Sequence, residues 1–142
     1  MSDVFTRTKR SEVMSRIRAR GNRDTELRLI VLFRGHGITG WRRNGRVFGK
    51  PDFVFPSDRL AVFVDGCFWH RHRGCKFAYI PKSRLEFWLP KFDKNVGRDR
   101  VVTRALRKRG WKVLRIWECQ LHRRNWPNVV RRIARLRIKR DE

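Results

Sequence analysis

Apolar positions along the chain fall into short runs with two different periods. Leu27, Ile30, Val31 and Leu32 lie on one side of a predicted helix that opens at Asp24 or Thr25, either of which can cap it, and runs to about Arg34, where Gly35 and Gly37 end it. Ile38–Arg43 suits one further short strand. Asp52-Phe-Val-Phe55 opens a strand after Gly49-Lys-Pro51, and Pro56-Ser-Asp58 makes a turn. Leu60-Ala-Val-Phe-Val64 is a continuous apolar run, the pattern of a central strand covered on both faces. Between Phe92 and Arg109, Val96, Val102, Ala105 and Leu106 recur at near-helical spacing and Gly110 stops the helix. Trp111–Trp117 is rich in strand formers, and residues 125–142 carry Pro127, Val130, Ile133 and Ala134 along a basic amphipathic helix. The order helix, strand, strand, loop, helix, strand, helix predicts an α/β fold in one domain over residues 1–142.

Two segments break the pattern. Residues 1–23 set Arg7, Lys9, Arg10, Arg16, Arg18, Arg20 and Arg23 around a few apolar side chains, among them Met14, and suit a basic arm that orders on nucleic acid. Gly66–Pro81 is too dense in Cys, His, Gly and Arg for an ordinary core element, so the loop needs something other than packing to hold it.

Composition narrows the partners. Lys and Arg number 37 against 13 Asp and Glu, a net charge of +24 and a pI near 11.8. With 40% hydrophobic and 12% aromatic residues, the chain can bury a core, so the charge belongs to a folded polyanion binder rather than a disordered tail. No apolar run approaches the roughly 18 to 20 residues that span a bilayer, and the opening residues are polar. A cytoplasmic protein is the expectation. Three cysteines are too few for a disulfide framework and point to a metal or to buried thiols.

Cys67, His72, Cys75 and Cys119 supply four nitrogen and sulfur ligands, the complement of a closed structural zinc site. His122, three residues after Cys119, competes with His72 for the fourth place, and the thiols could equally pack as small hydrophobes. Asp52 opens one strand, Asp65 closes the next and His70 follows, which is the layout of a Mg²⁺ nuclease centre. The plainer reading of Asp52 is a turn residue after proline. Phe68-Trp69 and Phe87-Trp88 belong either to the core or to wedges that enter a base stack, with the polar surroundings of Trp69 favouring the wedge.

Gly49-Lys-Pro-Asp-Phe-Val-Phe55, Val62-Phe-Val-Asp-Gly-Cys-Phe-Trp-His70, Glu86-Phe-Trp-Leu89, Lys94-Asn-Val-Gly-Arg-Asp-Arg100 and Gly110-Trp-Lys-Val-Leu-Arg-Ile-Trp-Glu-Cys119 resemble the very-short-patch repair endonuclease family. The likeness spans about residues 5 to 121. It implies a restriction-endonuclease-like, PD-(D/E)XK-type mixed sheet flanked by helices with a structural zinc, and a monomer that nicks one strand beside a T·G mismatch left by 5-methylcytosine deamination. It makes Asp52 the Mg²⁺ carboxylate, with the Val64 backbone carbonyl as a second donor, and His70 a general acid or base. Cys67, His72, Cys75 and Cys119 become zinc ligands. Glu26, Asn95 and Asp99 match polar residues around the active site, Asp65 stands where some relatives have His, and Phe68, Trp69 and Trp88 match aromatics that enter DNA at the mismatch. Met14 and Lys91 complete the expected DNA-contacting set. Three rivals remain: a nuclease of the same fold acting on unmodified or branched DNA, a zinc-stabilised DNA-binding module without catalysis, and an RNA-binding ribosomal-type protein, which explains the pI but leaves Asp52, Asp65 and His70 without a role.

Overall fold

The computed structural model describes residues 23–43 and 46–137. The basic arm up to residue 22, with Met14, and residues 138–142 of the expected last helix lie outside the described residues. Seven principal elements follow one another: α1 (Arg23–Gly35), β1 (Arg42–Arg43), β2 (Phe53–Phe55), β3 (Leu60–Asp65), α2 (Leu85–Lys108), β4 (Lys112–Trp117) and α3 (Trp126–Arg137). Short 3₁₀ turns at Pro56–Asp58, Glu118–Leu121 and Arg123–Asn125 connect them.

The four strands form one mixed sheet in the order β1-β2-β3-β4. β2 runs antiparallel to β3, with Phe53 opposite Val62, whereas β3 and β4 are parallel from Leu60 opposite Lys112 to Asp65 opposite Trp117. Parallel neighbours need a long crossover, which α2 supplies. Every residue of β3 is buried, as its unbroken apolar run requires of a strand covered on both faces.

Strand alternation sorts the core into two layers. Phe53, Phe55, Leu60, Val62, Val64, Leu114 and Ile116 pack with Leu29, Leu32 and Phe33 of α1 and with Val129 and Ile133 of α3. On the opposite face Ala61 and Phe63 meet Val102 and Leu106 of α2. Phe33 sits edge-on to Phe53 at 5.4 Å and to Phe55 at 5.8 Å between centroids. Full burial of each such ring stabilises the fold by about 1.5–3 kcal/mol. Asp65 continues the Ala61, Phe63 series and so faces α2.

Two elements differ from the expected pattern. The Ile38–Arg43 strand contracts to Arg42–Arg43. α2 begins at Leu85 and passes through Pro90, so Phe87 and Trp88 lie in its opening turns. Pro90 is the sixth residue of that helix and forfeits only the bond its missing N–H would have given the Glu86 carbonyl. At Gly49, with φ +83°, an added Cβ would stand 2.3 Å from Val102 Cγ1. The turn that delivers Pro51 and Asp52 to the sheet can therefore lie against α2 only with glycine there. Among the described residues no helix is long and apolar enough to cross a membrane.

Candidate active site and metal centre

Asp52 stands just before β2, where proline ends regular pairing with β3. Its carboxylate takes over: Oδ2 accepts a hydrogen bond from the Val64 N–H at 2.7 Å. The side chain is buried, and burial pushes its carboxyl from the ordinary 3.8 up to about 7, with the Val64 N–H opposing and the nearby Glu26 and Asp65 carboxyls adding to the rise. Glu26, buried on α1, is close enough to hydrogen-bond with Asp52, and Arg43 Nη2 donates to its Oε2 at 2.9 Å. Hard, crowded carboxyl oxygens in a low-dielectric pocket suit a small divalent cation.

A second group of acids lies at the end of β3. His70 Nδ1 meets Asp99 Oδ2 at 2.5 Å and lies 3.9 Å from Asp65 Oδ1. His70 and Asp65 are buried, and Asp99 reaches them from the middle of α2. Burial raises the Asp65 carboxyl while His70 and Arg115 pull it back. One ligand atom each from Asp65, His70 and Asp99 lie within 4.8 Å of one another, an arrangement that could hold a metal. Val64, whose N–H holds Asp52, directly precedes Asp65 in β3, and the Asp65 carboxyl adds only a minor push to Asp52.

Cys67, His72, Cys75 and Cys119 converge with their ligand atoms within 4.8 Å of one another. His72 Nδ1 lies 3.6 Å from Cys67 Sγ and 3.4 Å from Cys119 Sγ. A nitrogen and a sulfur on one tetrahedral metal stand about 3.6 Å apart, so the donor set fits a four-coordinate ion. His122 is exposed and lines a separate hollow with Arg28, Val31 and Trp126, which decides between the two histidines in favour of His72. Burial lowers the His72 imidazole and keeps it neutral for ligation. Its ring stacks on Trp117 at 4.3 Å and 13°, and Trp117, the last residue of β4, is two positions before Cys119. The parallel register of β3 and β4 thus brings Cys119 beside Cys67.

Phe68 sits half-buried at the centre of an aromatic group, with ring centroids 5.4 Å from Trp69, 5.4 Å from Trp88 and 5.2 Å from Phe92. Trp69 and Trp88 are buried in that group. Arg71 ties the loop to it by donating to the Phe68, Tyr79 and Ala78 carbonyls and by lying 4.0 Å over the Phe92 ring. Lys91 caps Phe87 at 4.7 Å and Trp69 at 5.9 Å, and Asn95 Nδ2 donates to the Trp69 carbonyl at 3.4 Å. Phe68, Trp69, Trp88, Lys91 and Asn95 therefore form one patch next to His70.

Sequence reasoning missed Arg115, Thr103 and Arg43. Arg115 had a signal: it occupies the α2-facing position between Val113 and Trp117, where a charged side chain needs a partner. With Asp65, His70, Asp99 and Trp117 it lines a cleft of about 430 Å³ whose walls include Arg100, Arg104 and Arg107.

The buried acids, the thiol cluster and the aromatic patch are carried by α1, α2 and the ends of β2, β3 and β4, and the similarity to known proteins runs through these segments. Residues 2–76 match the family described as DNA mismatch endonuclease Vsr. The chain is 43% identical over 126 residues to the DNA mismatch endonuclease Vsr of Escherichia coli (strain K12), covering 87% of this chain and 78% of that one. It is 38% identical over 122 residues to the type II nicking enzyme V.XorIIP of Xanthomonas oryzae pv. oryzae, covering 85% and 88%. Against the type II nicking enzyme V.NmeAIP of Neisseria meningitidis serogroup A the figure is 42% over 123 residues, covering 85% of each. A similarity that runs through both groups of acids and the Cys/His loop leaves one assignment: the chain belongs to the Vsr family of DNA mismatch endonucleases.

Proposed function

We propose that this enzyme nicks one strand of duplex DNA at T·G mismatches arising from 5-methylcytosine deamination, in a Mg²⁺-dependent hydrolysis carried out by a PD-(D/E)XK-type domain over residues 1–142. The observation that carries this reading is the His70–Asp99 pair beside the buried Asp52–Glu26 pair. One pair suits proton transfer and the other suits a divalent cation.

Asp52 and Glu26, with the Val64 carbonyl, would hold Mg²⁺. The ion, when bound, neutralises phosphate charge and polarises the scissile group. Asp99 accepts from His70 Nδ1, which fixes the tautomer and leaves Nε2 as the nitrogen that takes up a proton. Water attacks phosphorus, the P–O3′ bond breaks, and the products are a 5′-phosphate and a 3′-hydroxyl. His70 serves the attacking water or the departing 3′-oxygen. Cys67, His72, Cys75 and Cys119 would hold a structural zinc, whose closed ligand set leaves no position for substrate.

Phe68, Trp69 and Trp88, with Met14 of the arm, are the residues we assign to wedging at the mismatch, flanked by Lys91 and Asn95; half-buried Phe68 would lead, and the buried indoles of Trp69 and Trp88 would follow only as the aromatic group opens on DNA. A T·G pair costs less to unstack than a matched pair, by about a few kcal/mol at most, which makes deformation a basis for discrimination.

End-labelled duplexes carrying T·G, C·G or T·A at one position, incubated with Mg²⁺ or EDTA, test this reading. The expected result is Mg²⁺-dependent nicking confined to the T strand of T·G duplexes. Equal cutting of matched or branched DNA overturns the mismatch assignment, and binding without cutting overturns the catalytic one.

A further inference from the structure

We propose that Arg115 is a positioning residue for the nicking reaction, the built-in cation of the Asp65–His70–Asp99 group. The inference rests on the reading of His70 as the proton carrier. Each nitrogen of the guanidinium has an assigned partner. Nη1 donates to Asp65 Oδ1 at 3.1 Å and Oδ2 at 3.0 Å and lies 3.5 Å from Asp99 Oδ1. Nη2 donates to the Asp99 carbonyl at 3.1 Å, and Nε to Thr103 Oγ1 at 2.9 Å. The group lies 4.3 Å over the Phe63 ring.

These contacts decide which acid receives the imidazole. Asp65 and Asp99 both stand near His70 Nδ1, at 3.9 Å and 2.5 Å, and two carboxylates competing for one ring nitrogen would leave its orientation undetermined. Arg115 holds both oxygens of Asp65, so Asp99 alone takes the close contact. It also grips α2 at the Asp99 carbonyl and the Thr103 hydroxyl, which sets the depth of Asp99 against the sheet. The three convergent ligands resemble a place for a metal, but the positive charge is already present in the chain. On this account Asp65, expected from sequence to serve acid–base chemistry or to orient His70, is the anchor of Arg115. Lysine could not substitute, because one ammonium cannot span two carboxylates, a carbonyl and a hydroxyl in a fixed plane.

The test compares full-length wild type with Arg115→Met, Arg115→Lys and the double variant Asp65→Asn with Arg115→Met. Nicking of a T·G duplex under single turnover is measured beside duplex affinity without Mg²⁺ and the NMR signal of the His70 ring proton. Arg115→Met is expected to slow nicking by roughly 10- to 100-fold, as loss of an orienting partner does, with affinity unchanged and the ring-proton signal lost. Arg115→Lys should not recover the rate. The double variant should recover part of it, because the buried Asp65 charge left unpaired is gone. Wild-type nicking by Arg115→Met, or a loss in affinity that accounts for the slower rate, overturns the proposal. So does a double variant in which the His70 ring-proton signal stays lost. A wild type that nicks nothing removes the functional reading, while the His70 signal still judges the role of Arg115.

Discussion

His70 and Asp99, separated by 29 residues, meet at 2.5 Å through Nδ1 and Oδ2. One belongs to the loop after β3 and the other to the middle of α2, so the contact exists only when the helix is docked on the sheet. Asp99→Asn keeps the shape but allows an amide N–H to face Nδ1, which favours the other tautomer. Nicking should fall about 10²- to 10⁴-fold with little change in duplex affinity. Measuring kcat and KM on protein whose folded fraction is fixed by circular dichroism checks this, and a rise in KM with kcat unchanged would sink it.

Asp52 gives a pH dependence of stability. Its carboxyl is pushed up to about 7, so the folded metal-free protein holds a proton that the unfolded chain has released. The contribution is fully present below about pH 4 and is lost as pH rises toward about 7, with a ceiling on the order of a few kcal/mol. Melting temperatures of metal-free protein should fall between pH 5 and pH 8, and less steeply for Asp52→Asn. Mg²⁺ should restore wild type at pH 8 and leave Asp52→Asn unmoved, which also nicks no DNA.

The thiol cluster carries its own expectation. Cys119→Ser removes a ligand contributed from beyond β4 and should lower the melting temperature by on the order of 10 °C. Elemental analysis should find about one zinc per wild-type chain and a substoichiometric amount in the variant. Unchanged zinc content and melting temperature would assign the cluster to packing alone.

Salt dependence separates phosphate contacts from solubilising charge. Arg100, Arg104 and Arg107 line the cleft above His70 and lie on one face of α2. Each change to Gln is expected to reduce the slope of log affinity against log salt by about 1. A set of parallel lines with unchanged slope would remove these residues from the interface.

Much of the fold was legible because burial writes periodicity into sequence. The apolar run at Leu60–Val64 marked the central strand, and Gly35 and Gly110 marked helix ends. The opening turns of α2 were hidden behind Pro90, which normally signals a break but here costs one hydrogen bond. The site was legible where ligand chemistry demands particular residue types, as with Cys67, His72, Cys75 and Cys119. It was not legible where roles depend on contacts between distant segments. Arg115 becomes meaningful only when the parallel register of β3 and β4 sets it beside Asp65.

Cys67 and His72 bracket Phe68, Trp69 and His70, so a metal bridging the two ligands closes a ring of six residues around the aromatic pair and the imidazole. Such a ring limits how far Phe68 and Trp69 can shift without moving His70. On the functional reading above, a duplex that refuses Phe68 and Trp69 pushes back on the same small hoop that carries the proton-transfer group. On that reading, sensing the wrong base pair and cutting beside it are linked through one short loop.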